Sequence, residues 1–74
     1  MEFDFSKLEG RIIEKFGTRA AFGEAAELSP PALSGRLNNK TSWSCDDIYH
    51  VCQPHILDIP PYQIGMYFFT PKVR

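Results

Sequence analysis

The sequence of 74 residues predicts an all-α domain built from five short helices. Apolar residues recur at helical spacing in several segments, and no segment shows the strict alternation of a β-strand. Helix start and stop signals, mostly Ser or Thr before a segment and Gly or Pro after it, leave only short loops between them. We therefore expect neighbouring helices to pack together as one domain over residues 1–74.

The composition is that of a folded globular protein, and it restricts the location and the partners. No apolar run approaches the roughly 18 residues of a membrane span, and the acidic, polar N-terminus is unlike a signal peptide. We expect a cytoplasmic protein with no membrane partner. The net charge of −1 weighs against nucleic acid, because phosphate contacts depend on Lys and Arg. Six of the eight basic residues nevertheless lie within residues 1–40, which allows one basic face.

The first predicted helix begins at Ser6 and ends at Gly17. Ser6 and Glu9 have the spacing of a capping box, in which each side chain bonds the backbone N–H of the other residue. Glycine is the usual residue just past a last helical turn, because it accepts the left-handed conformation. Phe3 and Phe5 precede the helix, where they are expected to act as a hydrophobic staple or as a short docked arm.

The second and third helices follow closely. The second is predicted from Arg19 to about Ala26, with Thr18 as its N-cap. The third is predicted from Pro30 to about Leu37, with Ser29 as its N-cap. Two prolines are tolerated at its start, because the first backbone N–H groups of a helix have no partner within it.

The last two helices are predicted on either side of an apolar connection. Ser44 and Asp47 form a second capping box for the fourth helix, which Pro54 ends or kinks. A polar loop over residues 38–42 precedes it, and Trp43 is expected to enter or shield the core. The fifth helix is predicted from Gln63 to Phe69.

Residues 18–38 have the layout of a helix-turn-helix unit. Gly23 is the small residue needed where the two helices cross. Glu27 occupies the turn position, where glycine would be easiest, and Leu28 is the apolar residue that closes the elbow. Leu33 and Leu37 form the inward pair of the second helix. The usual role of such a unit is to place that helix in the major groove of DNA, whereas the alternative is an ordinary αα-hairpin in a small bundle.

The segment FGEAAELSPPALSGRLNN, residues 22–39, resembles the lambda-repressor-like (Cro and repressor) family of phage helix-turn-helix proteins. Residues 1–18, 37–43 and 58–73 are similar to those of a small regulator from a phage of Gram-positive bacteria. The resemblance implies a five-helix, lambda-repressor-like DNA-binding domain. It also implies a phage or prophage transcriptional regulator that binds operator DNA, usually as a homodimer on a two-fold site.

The family's contact positions transfer to three groups of residues. The start of the second helix would bind phosphate, the third helix would face the groove, and the loop after it would line the DNA backbone. The resulting DNA-binding set is Thr18, Arg19, Ser29, Pro30, Pro31, Ser34, Gly35, Arg36, Asn38, Asn39, Lys40 and Thr41.

The tip of the third helix departs from what base recognition needs. Arg or Lys usually reads guanine, and Asn or Gln reads adenine. Pro30 and Pro31 make only apolar contacts, and Glu27 places a negative charge near the DNA. An alternative function is therefore a protein-interaction module on the same scaffold, an antirepressor or dimerising partner, with weak or no DNA binding.

No pattern indicates an enzyme, a cofactor, a metal or a small-molecule substrate. On one helix Cys45 and Cys52 would lie roughly 10.5 Å apart along the axis, beyond the about 7 Å that a disulfide spans. With His50 and His55 they lack the spacing of a zinc site. The aromatic cluster Tyr67-Phe68-Phe69 either forms a homodimer contact or packs across the first helix.

Overall fold

The structure, a computed structural model that describes residues 2–73, contains five α-helices within that range. The helices are α1 (Ser6–Phe16), α2 (Arg19–Ala25), α3 (Pro30–Leu37), α4 (Cys45–Val51) and α5 (Ile64–Phe68), with a 3-10 turn at Pro61–Gln63 before α5. The predicted all-α, five-helix class is confirmed. Within residues 2–73 no helix combines the length and the apolar character that a membrane crossing requires.

Every helix contributes side chains to one apolar core. The connection between α4 and α5, predicted as apolar, adds three more buried residues. The core consists of Phe5, Leu8, Ile12, Phe22, Ala26, Leu33, Leu37, Ile48, Val51, Ile56, Leu57, Ile59 and Phe68. Burial of this apolar surface is the main favourable contribution to folding of such a small domain.

The first helix begins at Ser6 as predicted, but the predicted capping box is wrong, because Phe5 is the N-cap residue and no side chain caps it. The Oδ1 atom of Asp4 accepts hydrogen bonds from the backbone N–H of Ser6, at 2.8 Å, and from its hydroxyl, at 2.6 Å. These bonds from Ser6 lower the pKa of the Asp4 carboxyl. The other end of α1 is as predicted, since Gly17 has φ of 82° and donates to the carbonyl of Ile13.

The residues before α1 form a docked arm. The backbone of Phe3 pairs in antiparallel fashion with Pro71. On either side of this pair, Asp4 N–H donates to Thr70 O at 2.7 Å and Lys72 N–H donates to Glu2 O at 3.0 Å. We refer to residues 2–4 and 70–72 as the terminal ribbon. Phe5 continues from it into the core.

Three local features expected of the α2–α3 pair are present in the structure. At Gly23 a Cβ atom would lie 2.9 Å from the carbonyl oxygen of Leu28, so the chain approaches more closely than another residue would allow. Glu27 adopts the left-handed conformation, with φ of 60°. The inward pair Leu33 and Leu37 is buried.

The capping prediction for α4 is confirmed, whereas α5 is shorter than predicted. Ser44 Oγ accepts from the Asp47 N–H at 3.0 Å, and the Asp47 carboxylate accepts from the Ser44 N–H. The α5 helix is one residue shorter at each end than the predicted helix. Gln63 belongs to the preceding 3-10 turn, and Phe69 leaves helical geometry with φ of −129°.

Candidate functional site

A surface groove between α2 and α3 has a volume of about 400 Å³. Small side chains on α2 leave room there, because Ala20 and Gly23 face the start of α3. We call it the α2–α3 groove. It is lined by Arg19, Ala20, Gly23, Glu24, Leu28, Pro30, Leu33 and Ser34.

The first turn of α3 presents an apolar edge beside this groove. Pro30 and Pro31 are exposed, and neither has a backbone N–H to donate. The hydroxyl of Ser29 accepts a hydrogen bond from the N–H of Ala32 at 3.3 Å, as its role of N-cap requires. Base-reading chemistry is therefore absent from the tip of α3, as the sequence indicated.

The two arginines of the predicted DNA-binding set are both paired within the protein. Arg19 forms an ion pair with Glu9 of α1. Arg36 donates from Nε and Nη2 to Asp47 Oδ2 at 3.2 and 2.9 Å, and its guanidinium lies 5.8 Å from the centre of the Trp43 ring. These contacts compensate the positive charges that phosphate binding would need.

The loop after α3 also uses its polar side chains internally. The amide of Asn39 bonds the backbone of Phe3, and Asn38 Nδ2 donates to Ser34 Oγ at 3.2 Å. Thr41 packs beside Gly35, where a Cβ would lie 3.3 Å from the threonine hydroxyl.

Two further residues of the predicted set remain on the surface. Thr18 accepts from the N–H of Ala21 at 3.1 Å and so acts as the N-cap of α2. Lys40 is exposed, and its side chain forms no ion pair with another residue in the described range.

The charge next to the groove is acidic. Glu24 lines the groove and Glu27 is exposed at the turn, and neither carboxylate is paired with a residue between 2 and 73. With Arg19 compensated by Glu9, the local balance is negative, which repels DNA phosphates. The groove was not predicted from the sequence, although the small residues Ala20 and Gly23 on one face of α2 are a signal for it.

Asp47 links α3 to α4 and has a lowered pKa. Its burial alone would raise the pKa of the carboxyl, but hydrogen bonding from Ser44 and the positive charge of Arg36 outweigh that effect. The pKa of Asp47 is lower in the folded protein than the 3.8 of the unfolded chain. The ionised carboxylate therefore stabilises the fold at pH values above 3.8, and this stabilisation is lost as the pH falls through the pKa of the folded state.

We expect Asp47→Asn to flatten the acid end of the stability profile. The wild type should lose up to about 1 kcal/mol more than the variant between pH 5 and pH 2, a small effect because the pair is partly exposed. Urea denaturation of both proteins across this range measures it. Parallel profiles would contradict a stabilising role for the Arg36–Asp47 pair.

The cysteines form no disulfide, and the described residues contain no group of three potential ligands placed to hold a metal ion. Cys45 is exposed and Cys52 is half-buried. Burial raises the pKa of the Cys52 thiol to about 11, which keeps it protonated at neutral pH. The absence of catalysis, cofactor and metal stays a prediction.

The fold and this surface define a small all-α domain in which the surface formed by α2 and α3 is apolar and acidic. A family model described as "Protein of unknown function (DUF739)" matches residues 1–71, and the chain belongs to this family. No curated protein matches it.

A solved structure is similar to the chain over nearly its whole length. It is the solution structure of the modulator of repression (MOR) of the temperate bacteriophage TP901-1 from Lactococcus lactis. The two share 40% sequence identity, with 100% of this chain and 97% of that chain covered and a TM-score of 0.81.

The prediction of a Cro- or repressor-like regulator that reads operator DNA is wrong. The similar structure is that of a modulator of repression, which agrees with the alternative of a protein-interaction module. The physical reason lies in the internally paired Arg19 and Arg36 and in the apolar tip of α3. The resemblance to the lambda-repressor-like family and the homodimer stay predictions. Of the suggested dimer cluster, Phe68 is buried and Phe69 is exposed.

Proposed function

We propose that this chain is a phage modulator of repression that acts by binding a repressor protein. The observation that carries the proposal is the 40% identity, over the whole chain, to a protein of that description. A partner protein, rather than operator DNA, is then the molecule that the helix-turn-helix scaffold contacts. The contact surface that we propose is the α2–α3 groove with the exposed Pro30 and Pro31 beside it.

The shape and polarity of the groove support a protein partner. Its walls include Leu28, Leu33 and Pro30, so an apolar side chain inserted there would be removed from water. Interfaces draw most of their binding energy from a few such desolvated anchors. The exposed prolines extend this apolar area. Because their rings are rigid, their side chains lose little conformational entropy when a partner binds.

The charge at the groove supports a basic surface on that partner. Glu24 and Glu27 are free to pair with Lys or Arg, and the groove offers little to attract a second acidic protein. Repressors carry basic residues where they contact operator phosphates. We therefore infer that the groove engages the DNA-binding surface of the repressor, so that binding of this chain and binding of operator exclude each other.

Ala20→Arg tests the groove, with Ala25→Arg as its matched control. Both alanines are exposed on α2, but only Ala20 is among the groove residues. Arginine at position 20 fills the groove and repels a basic partner. We expect its affinity for the repressor of the same phage to fall at least about tenfold, which corresponds to about 1.4 kcal/mol. Ala25→Arg should stay within about twofold of the wild type, a change within the range usual for surface substitutions.

Titration calorimetry with the purified repressor measures both affinities. In a parallel anisotropy assay, the wild type should release the repressor from labelled operator and Ala20→Arg should do so poorly. A wild-type protein that does not bind the repressor would refute the proposed function. Equal affinities of the two arginine variants would refute the groove as the contact surface.

A further inference from the structure

The loop at the C-terminal end of α3 is attached to the terminal ribbon by one side chain. Asn39 Oδ1 accepts from the Phe3 N–H at 3.0 Å, and Asn39 Nδ2 donates to the Phe3 carbonyl at 3.0 Å. The two residues are 36 positions apart in the sequence. Asn39 also has φ of 62°, a conformation that asparagine tolerates better than most residues do.

These two bonds complete the outer edge of the ribbon. Asp4 N–H and Glu2 C=O point towards residues 70–72, so the N–H and C=O of Phe3 point to the opposite side. The Asn39 amide has one donor and one acceptor there, as the backbone of a further strand would. It therefore satisfies a strand edge that would otherwise stay unpaired.

The same loop connects to the wall of the α2–α3 groove. Lys40 N–H donates to the Gly35 carbonyl at 2.9 Å, and the Asn38 side chain bonds the hydroxyl of Ser34, which lines the groove. With eight residues, α3 has only about two turns. The tilt of so short a helix against α2 depends strongly on what holds its ends.

We propose that Asn39 is a positioning residue of the docking surface. By attaching the end of α3 to the terminal ribbon, it fixes the separation of α2 and α3 and hence the width of the groove that receives the partner. The inference rests on the proposed function, because the affinity that it concerns is that for the repressor. It assigns to Asn39 a role in place of the phosphate contact expected from the sequence.

Asn39→Gly is the decisive variant, because glycine adopts a positive φ without strain and removes both bonds to Phe3. Lys40→Gln is the matched control, an exposed neighbour in the same loop. Hydrogen exchange is followed at the amides of Asp4 and Lys72, whose own acceptors the substitution leaves in place. Repressor affinity is measured at a temperature where melting curves show every variant folded. Asn39→Asp, which loses the donor to the Phe3 carbonyl, provides a second test in the same direction.

In Asn39→Gly we expect exchange at Asp4 and Lys72 to be at least about tenfold faster and affinity to fall about 3- to 30-fold, the range of coupling through packed networks. Lys40→Gln should match the wild type in both. Unchanged exchange at Asp4 and Lys72 would overturn the inference. This holds even if the affinity for the repressor falls, because Asn39 would then contact the partner directly. Wild-type affinity in a variant with faster exchange would overturn it as well. A wild type without repressor binding refutes instead the proposed function.

Discussion

Phe68→Ala should lower the free energy of unfolding by about 3–5 kcal/mol, the usual cost of removing a buried phenylalanine ring. Phe68 is 1% exposed, and its ring meets that of Trp43 edge-on, with 5.2 Å between the ring centres. A chain of this length has a total stability of about 4–11 kcal/mol. The variant should therefore lose a large fraction of its total stability and melt at a clearly lower temperature than the wild type, as urea denaturation and thermal melting would measure.

The neighbouring residue provides the control. Phe69 is 49% exposed and contacts the ring of Phe3, with 5.6 Å between the ring centres. We expect Phe69→Ala to lose about 1 kcal/mol, mostly from this aromatic contact. If the two variants lost the same stability, α5 would not face the core as described.

Gly23→Ala should lower the free energy of unfolding by about 2–3 kcal/mol, as overpacked sites do. The added Cβ would meet the backbone carbonyl oxygen of Leu28 at 2.9 Å, a group that cannot rotate away. Relief requires α2 and the turn to move apart. Glu27, already at a φ of 60°, leaves that turn little freedom. The same movement would alter the groove, so repressor affinity should fall with stability.

Gly10→Ala is the matched control for this substitution. Gly10 lies within α1, and a Cβ there would have no neighbour within 4 Å. Alanine should raise stability by about 0.5–1 kcal/mol, because glycine loses more backbone entropy on entering a helix. Urea denaturation of both variants would show opposite signs. A neutral Gly23→Ala would mean that α2 and the turn are not in close contact.

Local signals were enough to predict α3, and they were not enough at the start of α1. Ser29 followed by two prolines defines a helix start without reference to the rest of the chain, and the helix begins at Pro30 as predicted. At α1, both Asp4 and Ser6 have side chains suited to capping. In the structure the Asp4 carboxylate accepts from Ser6, and the Asp4 backbone pairs with Thr70, a contact that no local pattern contains.

The function of the α2–α3 pair could not be decided from spacing for a similar reason. The apolar tip of α3 was evident in the sequence and raised the protein-interaction alternative, with which the similar structure agrees. Whether Arg19 and Arg36 were available to DNA depended on partners on other helices. Arg19 pairs with a residue 10 positions away and Arg36 with one 11 positions away. Only the packing of the helices brings these charges together.

Trp43 allows the folding of this domain to be followed by fluorescence. It is the sole tryptophan of the chain, and its ring lies close to both the Arg36 guanidinium and the Phe68 ring. Its indole N–H is buried and has no acceptor among residues 2–73. The folded protein should therefore emit at short wavelength and shift to the red when water reaches the indole. Intrinsic fluorescence thus reports on the junction of α3, α4 and α5 without any added label.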